Sequence, residues 1–361
     1  MKIRKAILTG GGRATRLRPI TTTINKHLIP LANKPMIFHA IEKAVEAGVE
    51  EIFINLNPGE TELQKHIGDG GHWNIKITFF EQTGGPQGIA HVVNEAKMFI
   101  GDDPFMFYLS DNIILGSLKE MFREFSESDN DCMLALAKVE NNASFGVPIF
   151  DNNGKLVDVF EKPKNPPNKF AVTGIYLYGP KVFFDAYNKI EKSARGEYEI
   201  SSIHSHLLKN NGKVGYKEIT GWWKDTGMPD DLISASRLLL EEKPATDFKN
   251  NGVIKENSVI NGKVDIGAGR VIGPNVVING PVIIGANCLL ENCVINSFST
   301  ISSGSTIKKA TISNSIILGN CNIDCPITID SSLIGASVKI KKNDSENGHR
   351  FIMGDHTSFE M

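Results

Sequence analysis

An aliphatic residue returns at every sixth position from Ile254 through Ile260, Ile266, Ile272, Ile278 and Ile284 to Leu290, with Gly, Asn, Pro or Lys in between. A hexapeptide period of this kind stacks short strands into a prism-like parallel β-helix. Each aliphatic side chain points at the axis, and each small or polar residue turns a corner. Beyond Leu290 the spacing loosens through Val294, Ile301, Ile307, Ile312, Ile317 and Ile323, while the same composition continues to about Ile340. A left-handed parallel β-helix is therefore expected over residues 253–340, followed by a terminal strand or tail at 341–361.

A different grammar governs residues 1–240. Short aliphatic strands are expected at Ala6–Thr9, Glu51–Leu56, Ile75–Phe80, Phe105–Leu109 and Cys132–Lys138. Between them lie helical patterns such as Pro35–Ala47, where Ile37, Ala40, Ile41, Ala44 and Val45 share a face and Gly48 supplies the stop. Strands alternating with helices give an α/β domain on a Rossmann-like, mostly parallel sheet. Ligands of such sheets bind at the carboxyl ends of the strands, which directs attention to Gly10–Arg16, Glu81–Gly88 and Ser110–Asn112. The polar stretch 241–252, with Pro244 and paired Asn250–Asn251, reads as a linker. Two domains also suit a chain of 361 residues.

Charge narrows the partners. With 39 basic and 41 acidic side chains and a formal net charge of −2, the chain carries no signature of a nucleic-acid or anionic-membrane binder, and small-molecule chemistry is expected instead. The apolar stretch after Lys5 is too short for a signal-peptide core, and no uninterrupted apolar run reaches the length of a membrane span. A cytoplasmic location is the expectation. The five cysteines are odd in number and form no C-x-x-C pair, so neither a disulfide framework nor a redox motif is indicated. Cys321 and Cys325 stand at a spacing zinc tolerates, but their neighbours are aliphatic and no second Cys or His pair is close. Buried thiols are the simpler expectation.

The segment Leu8-Thr9-Gly10-Gly11-Gly12-Arg13-Ala14-Thr15-Arg16-Leu17-Arg18-Pro19 follows the first strand directly. Consecutive glycines let backbone N–H groups turn toward an anion without Cβ interference, and the arginines supply charge against a polyphosphate. A tight strand-to-helix connection without a ligand is the alternative. The segment has neither the G-x-G-x-x-G order of a dinucleotide fold nor the G-K-[ST] ending of a Walker loop, which disfavours both of those classes.

The run from Gly10 to Met36, with Thr15-Arg16-Leu17-Arg18-Pro19, Lys26, Pro30 and Lys34-Pro35-Met36, resembles the signature of the sugar-1-phosphate nucleotidyltransferases, especially the glucose-1-phosphate thymidylyltransferase type. Further matches follow in the family's order: Glu81-Gln82 with Pro86-Gln87-Gly88, Ser110-Asp111-Asn112, Phe145-Gly146-Val147, Glu161-Lys162-Pro163, Thr173-Gly174-Ile175-Tyr176, Gly196-Glu197-Tyr198-Glu199-Ile200 and Trp223-Lys224-Asp225-Thr226-Gly227. The resemblance implies transfer of a nucleotidyl group from a nucleoside triphosphate to a sugar 1-phosphate, with release of pyrophosphate. The segment Asp225–Asp230 leans to dTTP with glucose 1-phosphate, UTP standing close behind. Thymine and uracil differ by one methyl group, worth only ~1 kcal/mol of contact.

A sugar phosphate has its second pKa near ~6, so its attacking oxygen is ionised at neutral pH and needs no general base. The reaction needs instead in-line positioning and neutralisation of the charge growing on the α-phosphorus and the leaving pyrophosphate. Mg2+ held by one or two carboxylates suits that task. By the resemblance, Asp111 and Asp225 are the metal ligands, and Arg16 and Lys26 the cations on the triphosphate. Lys162 grips the sugar phosphate. Leu8, Gly10, Gly11, Gly12, Gln82 and Gly88 belong to the nucleotide site, and Gly146, Glu161, Thr173 and Gly174 line the sugar. Taken alone, Asp111 would read as a cap or turn residue, and Tyr176 and Trp223 as packing residues.

The family has glycine where this chain has Ala14, so an altered path of the phosphate loop is expected. A catalytically silent nucleotide-sugar binder is one rival that this departure raises. Another is a bifunctional enzyme with acyl transfer in the β-helix. Acyl transfer generally wants a histidine base, and residues 207–348 contain none; His349 and His356 fall beyond the repeat. The repeat domain is expected to serve self-association into a homo-oligomer.

Overall fold

The computed structural model describes residues 1–268, 271–342, 355–358 and 360. By their contacts these fall into two units, Met1–Arg13 with Met36–Asp225, and Ala14–Pro35 with the chain from Thr226 onward.

The first unit is an α/β domain on a nine-stranded sheet. Strand Lys5–Thr9 runs parallel between Glu51–Leu56 and Phe105–Tyr108, and Lys76–Glu81 extends the parallel run beyond Glu51–Leu56. Covered on both faces, such strands read as near-continuous apolar runs: Ala6, Ile7, Leu8, Ile52, Ile54 and Leu56 are all fully buried. Helix Met36–Ala47 buries Met36, Ile37, Ala40, Ile41 and Ala44, the face its 3.6-residue spacing marks out. The other half of the sheet is antiparallel. Strand Phe170–Tyr178 pairs antiparallel with Phe105–Tyr108 and with Cys132–Lys138, and the latter takes Val214–Glu218 in parallel. The hairpin Gly146–Phe150 and Leu156–Glu161 joins through Gly146 opposite Val172. Between Val172 and Tyr176 the register against Cys132–Lys138 shifts. This irregularity turns Thr173 and Gly174 out of the regular ladder, as bulges beside binding sites do.

The repeat region folds into a left-handed parallel β-helix of three sheets with six, five and five strands. Its axis is lined by three ladders. One runs Ile254, Ile272, Leu290, Ile307, Ile323, Ile340. The others are Ile260, Ile278, Ile295, Ile312, Ile329 and Ile266, Ile284, Ile301, Ile317, Ile334. This corrects the sequence reading at one position. The axial residue after Leu290 is Ile295, fully buried, whereas Val294 is half-buried on the outer side. The corner at Asn292 takes a left-handed backbone (φ 48°) and uses one residue fewer than the corners before it. Asn257, Asn275, Asn287, Asn314 and Asn320 turn with the same hand, a conformation asparagine tolerates better than other side chains. Side-chain amides also stack along the prism, Asn261 donating to Asn279 at 2.9 Å, Asn279 to Asn296 at 3.0 Å and Asn296 to Ser313 at 3.1 Å.

Helix Pro229–Glu242 and the segment Ala14–Pro35 pack with this prism. Ala32 N–H donates to Ser236 Oγ at 3.1 Å, Ser302 Oγ to Asn33 Oδ1 at 3.0 Å, and the Arg237 guanidinium sits 4.5 Å from the Phe298 ring centre. The helix continues to Glu242, into the stretch read as linker, and a short 3-10 turn Ala245–Asp247 follows. The last strand among the described residues is Lys339–Lys341; most of the expected tail, residues 343–354, lies outside the described residues. All five cysteines are buried free thiols, and among the described residues no group of three or more His, Cys, Asp or Glu is placed to hold a metal. Nor is any helix of the described residues long and apolar enough to cross a membrane.

Candidate active site

The glycine loop leaves the central strand at the carboxyl edge of the parallel run. Asn55 and Asn57, at the end of the neighbouring strand, hold it: Gly10 N–H donates to Asn55 Oδ1 at 3.0 Å, Gly12 N–H to Asn57 Oδ1 at 2.9 Å, and Asn57 Nδ2 returns a bond to Gly12 O at 3.1 Å. A Cβ on Gly10 would stand 2.6 Å from Leu63 Cδ2 and 2.7 Å from Asn55 O, so only glycine lets the loop lie this close. Gly12 has φ 114°, a conformation open only to glycine. Leu8 is fully buried in the strand that leads into the loop.

The next parallel strand ends in Ser110-Asp111-Asn112. Ser110 N–H donates to Thr9 Oγ1 at 2.9 Å and Ser110 Oγ to Thr9 O, which stitches this strand end to the one that carries the glycine loop. Residues Asn112–Ile114 then form a two-stranded antiparallel ribbon with Trp223–Asp225, in which Asp225 stands opposite Asn112. Facing residues in such a ribbon have Cα atoms about 4.5–5.5 Å apart. Asp111 and Asp225, distant in sequence, are thus one residue out of register on adjacent strands. Asn112 is buried (3% exposed) and ties Asp111 to the neighbouring strands: Nδ2 donates to Asp111 Oδ1 at 3.0 Å, while Oδ1 accepts Trp223 Nε1 at 2.8 Å and Gly174 N at 3.4 Å. The Trp223 ring meets Phe145 edge-on at 4.9 Å. The ring thus packs while its indole N–H is engaged.

Negative charge concentrates here. Burial, and then the charge of Asp111, push the Tyr108 phenol far above its ordinary range. Burial acts likewise on Tyr176, reinforced by Glu161, Cys132 and Asp111. Both phenols stay protonated, and the carboxylates they feel favour a cation nearby.

The hairpin supplies the other wall. Gly146 lies opposite Glu161. Glu161 Oε1 is 3.4 Å from Lys162 Nζ and 3.5 Å from Arg195 Nη2, and Arg195 also pairs with Glu199 at 2.8 Å. Lys162 holds a left-handed backbone (φ 48°) while its N–H donates to Phe145 O at 3.0 Å. Such a conformation costs a non-glycine residue about 1–2 kcal/mol. Gly174 is obligatory, because a Cβ there would stand 2.6 Å from Leu109 Cβ. Thr173 is fully buried and its hydroxyl donates to Ala135 O at 3.0 Å, so the donor of that hydroxyl is engaged within the sheet.

Gln82 and Gly88 bound the loop after the edge strand. Gln82 N–H continues the ladder to Leu56 O at 3.0 Å, and Gly88 (φ 99°) would set a Cβ 2.6 Å from Tyr198 O. Arg16 and Lys26 lie in the 3-10 turns Thr15–Leu17 and Lys26–Leu28 of the second unit. Ala14, capping the first of these turns, has φ 42° and ψ 41°, so the chain keeps the left-handed backbone although it lacks the glycine. The sequence reading gave no role to Asn55, Asn57, Asn112 or Arg195. For the first two, a signal existed in their position at the carboxyl end of strand Glu51–Leu56.

The family profile described as nucleotidyl transferase matches residues 5–242, and one described as the GMPPB C-terminal domain matches residues 254–343. The low-salt glycan biosynthesis nucleotidyltransferase of Haloferax volcanii is 36% identical over 99% of this chain and 100% of its own. A glucose-1-phosphate thymidylyltransferase of Streptomyces antibioticus is 34% identical over 99% of each. A solved structure from Bacillus anthracis, described as a candidate glucose-1-phosphate thymidylyltransferase with bound sucrose, superposes with a TM-score of 0.61 at 34% identity, covering 65% of this chain and 94% of that one. With a glycine loop, a paired-aspartate ribbon and a basic hairpin in one α/β unit, and with relatives matched end to end, the chain belongs to the nucleotidyl transferase family, in the long form that carries a hexapeptide-repeat domain.

Proposed function

We propose that the chain transfers the thymidylyl group of dTTP to glucose 1-phosphate and releases pyrophosphate. One observation carries the reading: the ribbon that sets Asp225 opposite Asn112, with Asn112 holding the carboxylate of Asp111. Mg2+ fits this donor set, since it takes hard oxygen ligands from one or two carboxylates and leaves its remaining places to phosphate oxygens and water. When bound, it would offset the charge that develops on the α-phosphorus and the leaving pyrophosphate. The chain's own residues do the rest. The glycine loop, whose Gly10 and Gly12 N–H groups are held by Asn55 and Asn57, presents the Gly11 N–H to the phosphates, Gln82 and Gly88 read the base, and Lys162, beside Glu161 and Arg195, orients the sugar phosphate. Arg16 and Lys26 are assigned to the triphosphate on the family pattern. The sugar phosphate arrives ionised, so no residue is needed to take its proton.

Relatives named glucose-1-phosphate thymidylyltransferase support the choice of substrates. The test is pyrophosphate release across a panel of triphosphates and sugar 1-phosphates. The highest kcat/KM is expected with dTTP and glucose 1-phosphate. Preference for a purine triphosphate, or no release with any pair, would end the proposal.

A further inference from the structure

The loop from Gln82 to Gly88 joins strand Lys76–Glu81 to helix Ile89–Glu95, and residues 83–86 are exposed, so little core packing shapes it. Its conformation rests on hydrogen bonds at its two ends, and both come from side chains one helical turn apart. Glu95 Oε1 accepts the Thr83 N–H at 2.9 Å and the Thr83 hydroxyl as well. His91 Nε2 lies 3.3 Å from Gln87 Nε2, and His91 Nδ1 lies 3.0 Å from Tyr187 OH. An amide nitrogen only donates, so the imidazole accepts from Gln87 at Nε2 and, in its neutral form, donates from Nδ1 to Tyr187. Tyr198 closes the same loop from the far side. Its N–H donates to Gln87 O at 2.8 Å, its carbonyl accepts Ala90 N–H at 3.2 Å, and its ring stacks on His91 at 6.3 Å.

The Glu95 and His91 side chains are only 14% and 15% exposed, so packing holds both acceptors in the geometry that the loop's hydrogen bonds require.

We infer that Glu95 and His91 are positioning residues for nucleotide recognition: from one helix they clamp both ends of the loop that carries Gln82 and Gly88, and so set affinity for the triphosphate without acting on the sugar phosphate. The inference rests on the reading that this loop meets the base. Losing the charge-assisted bond from Thr83 weakens triphosphate binding about tenfold.

The full chain with Glu95→Ala, Glu95→Gln and His91→Ala is tested by steady-state pyrophosphate release and by direct titration with dTTP. Glu95→Ala and His91→Ala are expected to raise KM for dTTP roughly tenfold while KM for glucose 1-phosphate and kcat stay within about threefold. Glu95→Gln, which keeps an acceptor for the Thr83 N–H, recovers most of the loss. Should Glu95→Ala fail to fold, Thr83→Val removes one partner of the clamp and is expected to give a smaller rise in the same KM alone. Equal rises in both KM values, a fall in kcat alone, or no rescue by glutamine overturns the inference. If the wild type binds dTTP but turns over no substrate pair, the catalytic proposal fails on its own; weaker dTTP binding by Glu95→Ala in that titration still upholds the clamp, and unchanged binding overturns it.

Discussion

Replacing Asn112 with alanine removes a side chain that serves three partners at once. The Trp223 Nε1–H at 2.8 Å and the Gly174 N–H at 3.4 Å lose their shared acceptor, and the Asp111 carboxylate loses the donor that holds it at 3.0 Å. A buried donor left unsatisfied costs about 1–3 kcal/mol, and the long contact to Gly174 belongs at the low end of that range. Asp111 gains water in exchange for its lost bond, so the expected total is about 2–5 kcal/mol of stability. A carboxylate freed to shift by ~1 Å lowers turnover by about 10²-fold. Trp223→Phe is the graded control, since it removes one donor and keeps the ring against Phe145; it is expected to cost about 0.5–1.5 kcal/mol and less than tenfold in kcat. Urea unfolding followed by tryptophan fluorescence reads the first quantity and pyrophosphate release the second. Wild-type stability and turnover in Asn112→Ala, or an equal loss in Trp223→Phe, refutes the view of Asn112 as the residue that ties Asp111 to Trp223 and Gly174.

Three other outcomes follow from the same structure. In the β-helix, Ile295→Asn places an amide on the axis and is expected to destabilise by more than about 3 kcal/mol, whereas Val294→Asn costs less than about 1 kcal/mol; unfolding midpoints of the two variants settle the register. Burial depresses the pKa of His204 from 6.5 to about 3, so the unfolded chain binds a proton that the folded chain refuses between those values. Stability from this group is full above pH 6.5 and falls with acidification by ~1.4 kcal/mol per pH unit, a slope that His204→Gln should lack in urea titrations at pH 6.5 and 5. At Ala14 the left-handed backbone costs about 1–2 kcal/mol and glycine's extra chain entropy about 0.5–1 kcal/mol. Ala14→Gly is thus expected to raise the melting temperature slightly, and a drop would show that the residue is not strained.

The parallel strands were legible because burial on both faces leaves unbroken aliphatic runs, as at Ala6–Leu8 and Phe105–Tyr108. The antiparallel half was less so, since edge strand Leu156–Glu161 buries only Leu156 and Val159, three residues apart across a register shift, and Phe170–Tyr178 is interrupted by its own irregularity at Thr173 and Gly174. In the prism, a valine precedes many axial isoleucines, as in Val253–Ile254, Val271–Ile272 and Val294–Ile295. Once a repeat shortens to five residues, spacing alone no longer tells the axial member of such a pair from the outer one. The acidic pair came from motif order, but its pairing depends on a long-range ribbon that local pattern does not encode. Asn55 and Asn57 escaped for a related reason: an asparagine at a strand end reads as a turn residue until the glycine loop is seen lying against it.

The central claim is that Asp111 and Asp225 hold one and the same divalent ion. A double-mutant cycle on Mg2+-dependent pyrophosphate release tests it most directly. With a shared ion, Asp111→Asn and Asp225→Asn each lower kcat/KM by about 10³-fold or more, and the double variant is no worse than the weaker single one. Losses that multiply in the double variant, or wild-type turnover in either single one, contradict the account.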